Sequence, residues 1–163
     1  MKLLIQRVSE ASVTVEGACT GAIDAGFMVL VGCRHDDTVA DVEYLAGKLT
    51  TLRIFNDEAG RMNRSLIDTG GSVLLISQFT LYADTRKGNR PGFTLAGAPE
   101  HAESLFNFFI QTMQQKLGSN RVATGVFGAE MRVALINEGP VTIELTSDSQ
   151  SWHSADTSLS KRN

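Results

Sequence analysis

Hydrophobic and polar residues alternate along much of the first third of the chain, which is typical of β-strands with one buried face. The alternation covers Leu3 to Val8 and again Ser12 to Glu16. Phe27 to Val31 is instead a continuous apolar run between glycines, the pattern of a strand buried on both faces. Further strands are predicted at 52–55, 73–81, 122–127 and 132–145. The chain is therefore expected to be rich in sheet.

Two other segments repeat their apolar residues at intervals of three and four, the spacing of a helix. Thr38 and Asp41 form a capping-box pattern, so the first helix is predicted at about 38–51. The second helix begins at Pro99, which suits the first helical turn, and stops at Gly118. Strands and helices in this order predict an α+β fold, with an antiparallel, barrel-like core and two packed helices.

The composition is that of one globular domain, with 163 residues of which 42% are hydrophobic and 20% charged. We expect a domain over 1–146 and a polar tail over 147–163, where Ser, Asp, Thr and Lys dominate. The net charge of −3 gives no overall positive field for nucleic acid, which leaves only a local basic patch. The start becomes polar too soon for a signal peptide, and no apolar run approaches the ~20 residues of a membrane span. A cytoplasmic location is expected.

The sequence lacks the familiar catalytic motifs. His35, His101 and His153 have no metal-ligand spacing, and none is expected to be catalytic. Cys19 and Cys33 lack a Cys-x-x-Cys spacing, so we expect both to be reduced and buried. There is no phosphate-binding loop and no nucleophile elbow. Neither a cofactor nor a metal is therefore expected.

The segment 77–84, Ser-Gln-Phe-Thr-Leu-Tyr-Ala-Asp, is rich in hydroxyl groups for a packing strand. If it is a strand, side chains alternate between its faces, so that Gln78, Thr80 and Tyr82 point to the side opposite Ser77 and Phe79. Thr80 is then either an ordinary β-branched strand residue or part of an open polar face.

A second unusual segment is 137–142, Asn-Glu-Gly-Pro-Val-Thr, which interrupts the apolar run 133–145. Proline cannot donate to a sheet ladder, so Gly139-Pro140 is either a device of an edge strand or a shaped main-chain site. Carbonyl oxygens freed from the ladder would accept hydrogen bonds from an ammonium group.

Three motifs in this order and spacing carry a family resemblance: 77–84, Phe-Gly-Ala-Glu-Met at 127–131, and 137–142. The chain resembles the D-aminoacyl-tRNA deacylases, from Ile5 to about Leu145. The resemblance implies that family's fold and hydrolysis of the ester between tRNA and a D-amino acid, or glycine on a non-cognate tRNA. It further implies that the catalytic pocket is lined by Ser77, Gln78, Phe79 and Thr80.

The resemblance also implies a homodimer with active sites at the interface. Gly139 and Pro140, joined by a cis bond and named the Gly-Pro gate below, are expected to face the partner subunit's pocket. Arg7 is implied as a support of this gate and Met131 as a pocket wall. A rigid gate is physically reasonable because D and L esters contain the same atoms, and a hydrophobic pocket discriminates by only about 1–3 kcal/mol per methylene.

Two catalytic routes remain open, because the motifs offer Thr80 no acid or base. Thr80 attacks the ester in the first, with the amides near Phe79 and Thr80 as an oxyanion hole worth roughly 3–4 kcal/mol. In the second, the vicinal ribose hydroxyl of the terminal adenosine helps to activate water, and Thr80 only positions the ester. The uncharged character of the motifs favours the second route.

The long polar segment 84–97 is predicted to be an exposed loop. Its basic residues either contact phosphates of the tRNA acceptor stem or are merely solvated; they are Arg86, Lys87 and Arg90. Two rival functions use the same or a related fold: a non-catalytic RNA- or DNA-associated module, and an editing domain that removes L-amino acids from tRNA.

Overall fold

The computed structural model describes residues 1–147. Residues 148–163, which make up nearly all of the predicted tail and include His153, lie outside the described residues. The strands of the described part are β1 (Lys2–Val15), β2 (Ala18–Ile23), β3 (Gly26–Gly32), β4 (Phe55–Asn56), β5 (Met62–Arg64), β6 (Ser72–Ser77), β7 (Val122–Thr124) and β8 (Arg132–Thr146). The helices are α1 (Val39–Thr51), α2 (Leu66–Thr69) and α3 (Pro99–Leu117).

The main sheet has the strand order β2-β1-β3-β6-β7, and β8 pairs with β1. β1 is antiparallel to β2, β3 and β8, whereas the pairs β3–β6 and β6–β7 are parallel. The α+β class is confirmed, but the expectation of a wholly antiparallel sheet is wrong. The reason is that helices α1 and α3 lie in the connections to β6 and β7, and such crossovers return the chain in the same direction.

The sheet curves until it is nearly closed into a barrel. Its two ends approach each other at Gly21 of β2, where a Cβ atom would lie 2.7 Å from the carbonyl oxygen of Thr124 on β7. Only glycine permits such a close approach of two backbones. The barrel-like core that the sequence predicted is therefore present.

Both predicted helices form at the predicted positions. Thr38 caps α1, and its capping box with Asp41 is present. Pro99 opens α3, and Gly118 ends it with φ +92°. The third helix, α2, was not predicted; it is four residues long, too short for a helical repeat, and depends on a capping box between Ser65 and Asp68.

The hydrophobic core has two parts. One lies between the sheet and helices α1 and α3 and includes Phe27, Leu45 and Phe109, and the other lies inside the curved sheet around Val8 and Leu74. Within residues 1–147, no helix is both long enough and apolar enough to cross a membrane.

The cysteines differ from each other. Cys33 is buried, as predicted, but Cys19 is exposed, so its predicted burial is wrong. Cys19 lies near the start of β2, where the first three residues of the strand are all exposed. Small apolar side chains at a strand edge leave the same sequence pattern as buried ones.

Candidate active site

The chain turns sharply where β6 ends at Ser77. Phe79–Tyr82 forms a 3₁₀ helix, so the prediction of a strand through Leu81 is wrong, and so is the assignment of alternating faces to residues 78–82. The cause lies in β3, which ends beside this point. The carbonyl oxygen of Val31 accepts a hydrogen bond from the amide of Gln78 at 2.8 Å, and the turn then folds over Gly32.

Gly32 makes room for this turn. A Cβ atom at this position would lie 3.1 Å from the Cβ of Leu81 and 3.2 Å from the carbonyl oxygen of Gln78. The turn therefore rests directly on the end of the sheet, and residues 78–80 are held at its rim.

A cavity of about 620 Å³ opens at this rim. Ser77, Gln78, Phe79 and Met131 all line it, so the structure brings together four of the residues that the resemblance implied. The rest of the lining is largely apolar and comprises Val31, Cys33, Ile76, Phe93, Ala96, Gly97, Pro99, Ala102, Phe106, Phe127, Gly128, Ala129 and Val133.

Thr80 is not part of the lining. Its side chain is exposed beside the cavity, and its hydroxyl accepts a hydrogen bond from Nε2 of Gln78. Within residues 1–147, no Asp, Glu or His side chain is hydrogen-bonded to this hydroxyl. The contact with Gln78 orients Thr80 and gives it no proton acceptor.

The cavity lining is almost free of ionisable groups. Among residues 1–147 the one such side chain in the lining is Cys33. Burial, reinforced by the nearby Asp37 carboxylate, raises the pKa of the Cys33 thiol to about 12, so this thiol is neutral near pH 7. A reaction in this cavity therefore lacks a charged acid or base on the wall.

Backbone amides are the polar groups that the turn offers. In a 3₁₀ helix each amide bonds to the carbonyl three residues earlier, as Leu81 does to Gln78 here. The amides of Phe79 and Thr80 come before the first such bond and have no acceptor inside the turn. Phe79 lines the cavity, and Thr80 follows it in the turn.

Two aromatic side chains stand at the cavity mouth. Phe79 is 57% exposed, and its ring meets the ring of Phe93 edge to face with centroids 4.9 Å apart. Phe93 is also exposed, at 36%, so the two rings form an exposed aromatic pair at the cavity.

Met131 forms a wall of the cavity because Gly125 leaves space for it. A Cβ atom at Gly125 would overlap the Sδ atom of Met131 and lie 3.2 Å from the side chain of Ile76. The amide of Gly125 donates to the carbonyl oxygen of Leu75, which fixes the position of this glycine against β6. No periodic pattern of residues predicts this contact.

The Gly-Pro gate lies on β8 and does not line the cavity of its own chain. The Gly139-Pro140 bond is cis, as the resemblance implied, and both residues are exposed. Gly139 has φ +136°, and a Cβ atom there would lie 2.7 Å from Cγ2 of Val141 and 3.0 Å from Nη2 of Arg7. Only glycine fits this position without displacement of its neighbours.

Arg7 contacts the backbone next to the Gly-Pro gate. It is buried, its Nε donates to the carbonyl oxygen of Glu138 at 3.0 Å, and its Nη1 donates to the carbonyl oxygen of Ile54 at 2.6 Å. Nη1 also lies 3.5 Å from Oδ1 of Asn56. The guanidinium therefore connects the backbone next to the gate to Ile54 and Asn56, at and just before β4.

The loop 84–97 has no helix or strand of its own, as predicted. Asp84 and Gly92 exchange two backbone hydrogen bonds of 2.7 and 2.9 Å across it. The Arg86 guanidinium donates two hydrogen bonds to Asp84 and holds the pKa of that carboxyl well below its usual range. Lys87 and Arg90 are exposed on the same loop.

Two histidines lie in the described part of the chain. His35 is in a turn, and Nε2 of His101, in the first turn of α3, lies 3.1 Å from the carbonyl oxygen of Asp37. Within residues 1–147, no group of three or more His, Cys, Asp or Glu side chains is placed to hold a metal ion.

Comparisons with known proteins identify the family and the fold of this chain. A family model described as D-Tyr-tRNA(Tyr) deacylase matches residues 4–146. The chain therefore belongs to the D-Tyr-tRNA(Tyr) deacylase family.

Two relatives illustrate how close the similarity is. The chain is 57% identical over 147 residues to a D-aminoacyl-tRNA deacylase of Opitutus terrae, covering 90% of this chain and 97% of that protein. It is 58% identical to a D-aminoacyl-tRNA deacylase of Thermomicrobium roseum, covering 90% and 94%.

Solved structures give the same fold. One described as c-Myc DNA Unwinding Element Binding Protein matches with a TM-score of 0.86 and 42% identity, over 90% of this chain and 99% of that one. Another, a probable eukaryotic D-amino acid tRNA deacylase, matches with a TM-score of 0.77 over 88% and 97% of the two chains. Its identity of 18% supports the fold alone.

Proposed function

We propose that this protein hydrolyses the ester bond of D-aminoacyl-tRNA, and of glycine on a non-cognate tRNA, to free amino acid and tRNA. The observation that carries the proposal is the cavity at Ser77–Phe79, which is large enough for an aminoacyl ester with its terminal adenosine and nearly free of charge. Its family relatives are named for the same reaction. Since such substrates are made and used in the cytoplasm, we place the protein there.

The proposed site is completed by a second copy of the chain. β8 is 15 residues long, and within residues 1–147 it pairs with β1 alone, so one edge of this long strand is open. Ile136, on the same strand, is 54% exposed. A long edge with exposed apolar side chains is a surface for pairing with another chain. A homodimer built on this surface would carry the Gly-Pro gate of one subunit toward the cavity of the other.

The gate would separate D from L by exclusion. The D and L esters carry the same chemical groups, so the affinity of the site for each group does not distinguish them. A rigid wall must therefore occupy the volume into which the L side chain points. Arg7 fixes the gate through Glu138, and Gly139 leaves no freedom for a bulkier residue. Glycine has no side chain and would pass the same wall.

The hydrolytic step would depend on backbone and substrate. A water molecule adds to the ester carbonyl carbon, and the amides of Phe79 and Thr80 donate to the oxyanion that forms. The bond between carbonyl carbon and ribose oxygen then breaks, and that oxygen takes the proton that the water gave up. Because the wall has no charged base, the vicinal ribose hydroxyl is the group that relays the proton.

The basic loop would position the tRNA. Lys87 and Arg90 are free of ion pairs among the described residues and offer two positive charges to phosphates. Arg86 contributes less, because Asp84 neutralises it. This arrangement refines the sequence prediction, in which the three residues were equivalent.

A second candidate function is non-catalytic binding of nucleic acid. It is favoured by the description of the solved structure at 42% identity as a DNA unwinding element binding protein. Duplex DNA has no aminoacyl ester, so binding of DNA would leave the cavity at Ser77–Phe79 unused.

The test is deacylation of matched D-Tyr-tRNA and L-Tyr-tRNA by the purified protein, with glycyl-tRNA and duplex DNA as further substrates and ligands. We expect the D ester to be hydrolysed at least about 100-fold faster than the L ester, a difference of about 2.7 kcal/mol. Gly139→Ala should lose most of that ratio. Equal rates on both esters would contradict the gate, and DNA binding with no deacylation would favour the second function.

A further inference from the structure

The segment that carries the gate bulges out of the sheet. Along β1, the residues Gln6 and Val8 pair with Thr142 and Asn137 of β8. The chain advances by two residues on β1 and by five on β8 between these pairs, so residues 138–141 have no backbone partner in β1. A bulge of this size leaves the main chain of Val141 in need of other hydrogen-bond partners.

The side chain of Asn137 supplies them. Its Oδ1 accepts from the amide of Val141 at 2.7 Å, and its Nδ2 donates to the carbonyl oxygen of Val141 at 3.2 Å. Nδ2 also donates to Oγ1 of Thr142 at 3.0 Å. The carboxamide thus bonds both backbone groups of Val141, as a residue paired with it in a neighbouring strand would.

We infer that Asn137 is a positioning residue for chirality selection, which fixes the Gly-Pro gate by closing the loop 137–141. This inference rests on the proposed function of the gate. Val141 is buried and anchors one end of the loop, and Asn137, paired with Val8, anchors the other. Glu138, at the start of the exposed part, is tied to Arg7. The exposed part is therefore held at both ends, and the Asn137 carboxamide connects the two ends.

Asparagine is the side chain that suits both hydrogen bonds to Val141 at this position. One end of the group must accept from an amide and the other must donate to a carbonyl, and the carboxamide does both with a short side chain. Aspartate keeps the shape and the acceptor, but its second oxygen would face the carbonyl oxygen of Val141 with no proton between them. Alanine removes both contacts.

The experiment compares D and L deacylation rates for Asn137→Ala, Asn137→Asp and Thr142→Val, with Asn107→Ala as the control. Asn107 is exposed on α3, far along the chain from the gate. We expect the ratio of D to L rates to fall about 10-fold or more in both Asn137 variants, because each loses at least one hydrogen bond to the backbone of Val141. The D rate should change little, since the Ser77–Thr80 turn is untouched. Thr142→Val should lower the ratio less.

A merely structural role predicts a different pattern. It would lower the melting temperature and reduce D and L rates alike, with the ratio unchanged. We expect hydrogen exchange at the Val141 amide, which is bonded to Asn137, to be slow in the wild type and to accelerate in folded Asn137→Ala. If Asn137→Ala does not fold, Asn137→Asp carries the test, because it keeps the acceptor for the Val141 amide and loses the bond to the Val141 carbonyl oxygen.

The Gly139→Ala variant distinguishes a failure of the Gly-Pro gate from a failure of the role assigned to Asn137. If Gly139→Ala loses selectivity while both Asn137 variants keep it, the role of Asn137 is wrong and the gate stands. If Gly139→Ala also keeps the wild-type ratio, the gate itself is wrong. Loss of selectivity in all three variants, with Asn107→Ala unchanged, supports both.

Discussion

Nε of Arg7 donates a hydrogen bond to the carbonyl oxygen of Glu138 at 3.0 Å, which ties a buried side chain of β1 to the exposed bulge of β8. The same guanidinium donates to the carbonyl oxygen of Ile54 at 2.6 Å. One planar cation thus fixes two separate stretches of backbone, an arrangement that a single ammonium cannot reproduce.

Arg7→Lys is therefore expected to lower the selectivity of deacylation for D over L esters. The lysine keeps the charge but reaches only one of the two carbonyl groups, and the other loses its partner at a cost of about 1–3 kcal/mol in the free energy of unfolding. Denaturant unfolding and the D to L rate ratio measure the two effects. Arg53→Lys is the matched control, because Nε of Arg53 donates to the carbonyl oxygen of Asn63 away from the gate. A normal ratio in Arg7→Lys would contradict the coupling.

Thr80 tests the route of catalysis. Its hydroxyl is bonded to Gln78 and to no acid or base among residues 1–147, so Thr80→Ala should keep substantial deacylation. A substrate that ends in 2′-deoxyadenosine should react poorly, because the relaying hydroxyl is missing. Single-turnover rates on both substrates decide the matter. An inactive Thr80→Ala that binds normally, an active Thr80→Ser and full activity on the deoxy substrate would together establish Thr80 as the nucleophile.

Gly125→Ala is expected to disturb the cavity without contact with the substrate. The new methyl group overlaps Sδ of Met131, and this flexible side chain must swing away from its place in the wall. We expect a raised KM for the D ester and recovery in the double variant Gly125→Ala, Met131→Ala, a coupling that a double-mutant cycle measures. Gly47→Ala serves as control, since no atom lies within 4 Å of a Cβ there. If the effects of Gly125→Ala and Met131→Ala on KM are additive, the direct contact between the two positions is contradicted.

Cys33 gives a prediction for pH. Its pKa in the folded protein is about 12 against an ordinary value of 9.0, so the folded state favours the protonated thiol. Above about pH 9 the unfolded chain binds fewer protons, and the free energy of unfolding should fall with rising pH by up to about 1.4 kcal/mol per unit from this group.

Urea unfolding between pH 8 and pH 10, roughly across the ordinary thiol range, measures this slope. Cys33→Ala should reduce it. In Cys19→Ala, where Cys33 is the remaining cysteine, iodoacetamide should label the protein only after unfolding. Rapid labelling of the native variant would show that Cys33 is accessible and that the cavity wall is not as described.

Much of the fold followed from the sequence because local signals agreed with the tertiary structure. The capping box at Thr38, the proline at position 99 and the glycine at position 118 mark the ends of α1 and α3 at the observed positions. The parallel pairing of β3 with β6 could not be predicted in the same way, because alternation reports which face is buried and not which direction a neighbour runs.

Four residues of the cavity lining were predicted from the sequence, but the shape of the cavity was not. Family motifs pointed to Ser77–Phe79 and to Met131, which share one cavity. The 3₁₀ turn at Phe79 was missed because its cause is distant in sequence: the end of β3 at Gly32, against which the turn packs. The role of Asn137 in the bulge could not be predicted for a similar reason, since it depends on the register between β1 and β8.

The central claim is that each site combines the Ser77–Thr80 turn of one subunit with the Gly-Pro gate of the other. It is tested most directly by a purified heterodimer of two variants, isolated with two different affinity tags. One subunit carries Phe79→Pro, which removes the Phe79 amide that would donate to the oxyanion, and the other carries Gly139→Ala. The two homodimers, one expected to be inactive and the other unselective, are the controls.

If the sites are shared, one site of the heterodimer combines both defects, and the other combines an intact turn with an intact gate. The heterodimer should then hydrolyse D-Tyr-tRNA with the selectivity of the wild type, at about half its rate per dimer. If each subunit carries its own turn and gate, the one working turn sits beside the altered gate of its own chain. Hydrolysis of D- and L-Tyr-tRNA with the poor selectivity of the Gly139→Ala homodimer would therefore contradict the claim.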